Sequence, residues 1–174
     1  MNYAEIKFND IANGEGVRTS LFVSGCRHRC KNCFNAVTWD FGYGKPFDSE
    51  TAEKILKSAE PDWINGLTIL GGEPFEPENQ AELLAFLTEF RLRFPNKNIW
   101  CYSGFTFEEI TGKKKSRAFT ENSLPLLEKI DILVDGRYID DLHDIRLKFR
   151  GSSNQRIIDV KKSLSNNNII LYME

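Results

Sequence analysis

The sequence predicts an α/β fold built on parallel strands. Short β-favouring apolar runs alternate with amphipathic helical stretches, and each run ends in a Gly-rich or Cys-rich loop. With 174 residues, 41% hydrophobic and 28% charged, the chain is sized and composed for one globular domain, taken here as 1–174.

The elements follow in order. Thr19 to Ser24 is a first strand that feeds Gly25 and a cysteine cluster. Asp48 or Ser49 caps a helix with apolar positions Ala52, Ile55, Leu56 and Ala59, stopped by Pro61. Leu67 to Leu70 is a second strand, ending at Gly71-Gly72-Glu73-Pro74. Asn79 and Glu82 have the spacing of a capping box, and Leu83, Leu84, Leu87, Phe90 and Phe94 form the apolar stripe of the helix that follows. Ile99 to Tyr102 is a third strand, closed by Ser103-Gly104. Short helices are expected over 106–110 and 124–129, around the basic run 113–117, which reads as a solvated loop. Ile130 to Val134 is a fourth strand ending at Asp135-Gly136. A polar loop, 150–155, precedes Ile157-Ile158, and 169–173 is one more candidate strand.

Parallel sheets carry their ligand sites at the C-terminal ends of their strands. Four loops from four strands therefore converge on one face, which points to an enzyme.

The net charge of -2 gives no reason to expect a nucleic-acid partner. No run approaches the roughly 20 apolar residues of a membrane span, and the first residues lack a basic-then-apolar leader, so a cytoplasmic protein is expected. Of four cysteines, Cys26, Cys30 and Cys33 fall within eight residues. In a reducing compartment such a cluster predicts metal binding or catalysis. A zinc knot with His28 as fourth ligand is one reading, but His28 lies two residues from both Cys26 and Cys30, where its ring has difficulty reaching the same ion. An iron-sulfur cube with three Cys ligands and one open iron is the other. Cys101 alternates within an apolar strand and reads as core, as do Trp39, Trp63 and Trp100 in core or interface. His143 receives no role.

The spacing Cys26-x3-Cys30-x2-Cys33 after one strand, with Gly71-Gly72-Glu73-Pro74 after the next, resembles the radical S-adenosylmethionine enzymes. Asn13 to Arg18, Leu21 to Cys26, Cys33-Phe34-Asn35, Thr38-Trp39, Val134 to Tyr138 and Phe149 to Gln155 narrow that resemblance to the branch that activates anaerobic ribonucleoside-triphosphate reductase, over roughly residues 1–156. Residues 157–174 extend beyond it. Glu15 stands where that branch commonly has Pro, Glu73 where it often has Asp, and 112–121 reads as an insertion.

The resemblance implies a truncated radical S-adenosylmethionine core, a partial (β/α)6-type barrel. It implies a [4Fe-4S] cluster held by Cys26, Cys30 and Cys33, with S-adenosylmethionine on the fourth iron. Gly71, Gly72, Glu73 and Pro74 would line the methionine end, with Glu73 accepting from the ammonium, and Asn32, Cys33 and Phe34 would contact adenine. Ser103, Asp135 and Arg137 complete the implied cofactor set, Asp135 and Arg137 sharing a ribose hydroxyl and a carboxylate between them. The implied activity is that of a radical S-adenosylmethionine oxidoreductase, which makes a glycyl radical on the large subunit of anaerobic ribonucleoside-triphosphate reductase. Iron-sulfur potentials extend to about -700 mV, whereas cytosolic glutathione sits near about -220 to -320 mV. A flavodoxin or ferredoxin is therefore implied as electron donor. The alternatives are another compact radical enzyme, such as a different glycyl-radical activator or 7-carboxy-7-deazaguanine synthase, and a non-catalytic zinc-binding module.

Overall fold

The computed structural model describes residues 1–173. One eight-stranded sheet runs through it. Its strands are β1 (Asn2–Asp10), β2 (Val17–Val23), β3 (Lys45–Pro46), β4 (Ile64–Gly71), β5 (Asn98–Tyr102), β6 (Ile132–Asp135), β7 (Arg156–Asp159) and β8 (Leu171–Met173). The spatial order is β3-β1-β2-β4-β5-β6-β7-β8.

Only the centre of this sheet matches the parallel expectation. β2, β4, β5 and β6 run parallel, with Ser20 beside Thr68, Thr68 beside Trp100 and Trp100 beside Ile132. β1, β3, β7 and β8 pair antiparallel, so the sheet is mixed. Chain length explains part of the difference: residues 11–16 are too few for a crossover, and β1 folds back on β2 as a hairpin. The sequence reading passes over β1 altogether, although Ala4, Ile6 and Phe8 alternate with Glu5 and Lys7 as a half-buried strand should.

Helices cover one face of the sheet. α1 (Ser49–Ser58) starts as expected, with the Asp48 carboxylate accepting from the Thr51 amide at 2.8 Å. α2 (Pro77–Arg93) does not: it begins at Pro77, a residue pre-set for the first helical position. Asn79 consequently lies inside the helix, where its amide donates to the Ser24 and Glu73 carbonyls, both at 3.0 Å. The capping box stands instead at α3 (Phe107–Ile110), between Thr106 and Glu109. α4 (Ser123–Glu128) and α5 (Val160–Asn166) complete the set. Leu21, Ile55, Leu67, Leu83, Phe90, Cys101 and Leu133 are among the buried residues between helices and sheet, which confirms Cys101 as core.

The other face carries a smaller cluster of Trp100, Ile132, Val134 and Ile157. Arg18 is buried beside it, donating to Thr68 Oγ1, Asn98 Oδ1 and the Leu67 carbonyl, each at 2.7 Å. Burial lowers its pKa to about 10, still charged at neutral pH. Trp63, by contrast, is 67% exposed and belongs to no core. No described helix is long and apolar enough to cross a membrane.

Candidate functional site

The parallel strands deliver their C-terminal ends to one side, and the loops that follow enclose a cavity of about 650 Å³. The loop after β2 supplies Cys26, Cys30 and Cys33, all free thiols that line it. Gly25 makes the turn at φ +94°, and a Cβ there would lie 2.2 Å from the Phe41 ring. The loop then passes through left-handed backbone at Arg29 and Asn32. Among the described residues, no three His, Cys, Asp or Glu side chains converge on one point as ligands of a single ion do. A preformed zinc knot is absent there, and His28 Nε2, the fourth ligand of that reading, contacts Glu73 Oε2 at 3.0 Å.

β4 supplies Gly71, Gly72 and Glu73 to the same wall. Gly71 turns at φ +108°, while at Gly72 a Cβ would meet the carbonyl oxygens of Gly25 at 2.7 Å and Thr38 at 2.9 Å. Gly72 is thus needed where the two loops touch. Glu73 is 1% exposed and takes four donors: Phe75 N (2.9 Å) and Ser103 Oγ (2.8 Å) on one oxygen, Gly104 N (2.7 Å) and His28 Nε2 (3.0 Å) on the other. A carboxylate has about four acceptor sites, so Glu73 is saturated by the protein itself. Pro74 is buried behind this turn and does not line the cavity.

Behind Glu73 lies a second buried carboxylate. Glu76 accepts from the Arg27 amide and guanidinium, both at 2.8 Å, and from two nitrogens of Arg117 at 2.9 and 3.0 Å. Burial alone would raise its pKa, but Arg117 and Arg27 outweigh it and hold the carboxyl below its ordinary value. The basic run is therefore more than a solvated loop, since Arg117 ties it to the site's frame. Cys26 is shifted the other way: burial and the nearby Glu73 charge push its thiol up to about 12.

Ser103 and Gly104 line the cavity from the end of β5, and Gly136 from the end of β6. Asp135 and Arg137 do not line it. The Asp135 carboxylate is buried and taken up by Arg156 Nε at 2.9 Å and the Phe107 amide at 2.6 Å, while Arg137 reaches across the surface to the His28 carbonyl. Phe34 lines the mouth but leaves 85% of its surface in solvent, and Asn32 donates to Asp140 Oδ2 at 2.9 Å.

The polar loop before β7 reaches the cavity through Arg150, Gly151 and Gln155. Sequence reasoning misses His143, Tyr102 and Tyr138, which also face the cavity. Two buried polar atoms there have no partner among the described residues, Tyr102 Oη and Arg150 Nε.

Comparison with known proteins adds an independent line. Residues 12–158 match the 4Fe-4S single cluster domain family. The chain is 40% identical over 159 residues to the anaerobic ribonucleoside-triphosphate reductase-activating protein of Pasteurella multocida (strain Pm70), covering 90% of this chain and 96% of that protein. It is 36% identical over 157 residues to the protein of the same name from Enterobacteria phage T4, covering 90% and 93%. With that of Escherichia coli (strain K12) the identity is 35% over 157 residues, covering 89% and 96%.

Proposed function

The chain belongs to the anaerobic ribonucleoside-triphosphate reductase-activating protein family, and from that premise we propose how its cavity does the work. It is a [4Fe-4S] activase of anaerobic ribonucleoside-triphosphate reductase. The observation that carries the site-level reading is that three free thiols on one loop, and no fourth, face a cavity built from four strand ends. In this reading β2, β4, β5 and β6 are the parallel part of a partial (β/α)6-type barrel.

The residues present suit a cluster and a nucleoside cofactor. Cys26, Cys30 and Cys33 are the cluster ligands, each on its own iron, which leaves one iron open for S-adenosylmethionine. A cluster held there would supply the electron for reductive cleavage of S-adenosylmethionine, and the radical chemistry so started would act on a glycine of the reductase.

The protein's own part is positional. Gly71 and Gly72 let the β4 turn pack against β2 and the Cys loop, which sets the wall that would face the methionine end. Glu73 holds the Cys loop, the β4 turn and the β5 turn in one arrangement, and an ammonium reaches it only by replacing His28. Asn32, Cys33 and Phe34 form the adenine side, and Ser103 supports Glu73 from beneath. Asp135 and Arg137 act here as bracing for β7 and for the Cys loop. Flavodoxin or ferredoxin is the electron source.

Anaerobic purification followed by iron, sulfide and zinc analysis tests this reading. Four irons and four sulfides per chain, with S-adenosylmethionine cleaved on reduction, are expected; stoichiometric zinc without iron would refute it.

A further inference from the structure

His143 has one ring nitrogen committed and the other free. Its Nδ1 lies 2.9 Å from the Gly151 carbonyl oxygen. A carbonyl only accepts, so Nδ1 carries a proton, and in the neutral ring Nε2 is left as an acceptor. Nε2 has no partner among the described residues. The residue is exposed and lines the cavity. It is also held in place: His143 and Ser152 form an isolated backbone bridge, the Ser153 amide donates to the Leu142 carbonyl at 3.0 Å, and the Tyr138 ring packs edge-on with centroids 6.1 Å apart. Gly151 leaves room for that ring, since a Cβ there would lie 3.1 Å from Tyr138. Tyr138 donates to Asp140 Oδ1 at 3.2 Å, and Asp140 Oδ2 accepts from Asn32 Nδ2 at 2.9 Å. Asn32, Asp140, Tyr138 and His143 all line the cavity, so one connected wall runs from the residue beside Cys33 to the imidazole.

We propose that His143 is a specificity-determining residue of the cofactor site, its Nε2 accepting a hydrogen bond from an N–H or O–H donor of the bound nucleoside. The inference rests on the activase reading, which puts S-adenosylmethionine in this cavity with its adenine beside Asn32. A nucleoside offers few such donors: the exocyclic amine of adenine and the 2′ and 3′ hydroxyls of the ribose. The wall that ends at His143 starts at the adenine side, which favours the amine. An acceptor held at a fixed place reads a donor by its presence, because the analogue that lacks it leaves the acceptor unpaired.

The test measures binding and not turnover. Unreduced, cluster-loaded protein is titrated by calorimetry with S-adenosylmethionine, with its analogue lacking the 6-amino group, and with its 2′-deoxy and 3′-deoxy analogues, at about pH 8, where an imidazole is neutral. His143→Asn keeps an N–H in the place of Nδ1, and so the bond to Gly151, but has nothing in the place of Nε2. His143→Phe keeps a ring against Tyr138 without either nitrogen and serves as a second variant should the first melt early. The ratio of affinities for S-adenosylmethionine and the deamino analogue is expected to shrink about three- to tenfold in both variants, the worth of one hydrogen bond. The same shrinkage with one deoxy analogue instead keeps the residue and moves the contact to that hydroxyl. Ratios unchanged from wild type for every analogue overturn the proposal alone, since His143 then only braces its loop through Gly151. Wild-type protein that loads no cluster and binds none of these ligands overturns the activase reading, and this inference with it.

Discussion

The loops that end β2 and β4 meet in the same cavity but are held in opposite ways. The β4 loop is tied to its neighbours by buried bonds: Gly72 N to the Val23 carbonyl (2.7 Å), Glu73 N to the Gly25 carbonyl (2.8 Å), and a Glu73 carboxylate that takes donors from the Cys loop, the β5 turn and its own Phe75 amide. The Cys loop has one internal backbone bond between its cysteines, Cys33 N to the Cys30 carbonyl at 3.2 Å. Its start is anchored by the Gly25 and Cys26 amides on the Thr38 (2.8 Å) and Trp39 (3.1 Å) carbonyls, and the rest is held by side chains, Glu73 on His28, Glu76 on Arg27 and Arg137 on the His28 carbonyl. One loop is a finished frame, and the other waits on that frame and on what its thiols bind. The difference predicts that the metal-free protein keeps its fold, while the geometry of the thiols depends on what they bind.

Removing the frame should have the largest effect. Glu73→Ala leaves four donors without an acceptor in a buried place, and a loss of about 3–5 kcal/mol is expected in urea unfolding of the metal-free protein. Unchanged metal-free stability would show that Glu73 serves the cofactor alone.

Gly72→Val comes next. Its Cβ would strike the Gly25 and Thr38 carbonyls, so about 1–3 kcal/mol of stability and the iron content should fall together. Full iron loading with only S-adenosylmethionine affinity lost would mean that the space beside Gly72 belongs to the cofactor and not to the junction of the loops.

The Glu76 pairing predicts a pH effect. Its pKa is lowered in the folded protein, so its contribution is complete above the unfolded value of about 4.3 and is lost as pH falls through the lower folded value. Arg117→Met should cost about 1 kcal/mol at pH 7 and raise the pH midpoint of acid unfolding, read by circular dichroism. An acid midpoint identical to wild type would remove Arg117 from the frame.

Cys30→Ala should change metal-free stability least, by less than about 1 kcal/mol, while abolishing cluster assembly. Cys101→Ala should keep the cluster. A large loss of metal-free stability in Cys30→Ala would erase the contrast between the two loops.

What the sequence revealed follows the same division. The cysteine spacing and the paired glycines are local patterns, and both land in the cavity where the strand ends predicted them. The partners of charged residues are not local. Glu76 meets Arg117 across 41 residues and Asp135 meets Arg156 across 21, so Asp135 reads from the sequence as a ligand when its carboxylate is already paired. Glu73 reads as a free acceptor for the same reason. The helix start was misplaced at Asn79, because Pro77 begins the helix and the Asn79 side chain serves the turn that joins the two loops. The mixed sheet needed connection lengths as well as apolar runs, because only a short link distinguishes a hairpin from a crossover.

The most direct measurement is electron paramagnetic resonance on the reduced, cluster-loaded protein mixed with S-adenosylmethionine and anaerobic ribonucleoside-triphosphate reductase. The account predicts a glycyl-radical signal on the reductase that disappears in Cys26→Ala, Cys30→Ala and Cys33→Ala and persists in Cys101→Ala. A radical that survives loss of any one of the three loop cysteines, or a loaded wild-type protein that cleaves S-adenosylmethionine and leaves the reductase without a radical, would contradict it.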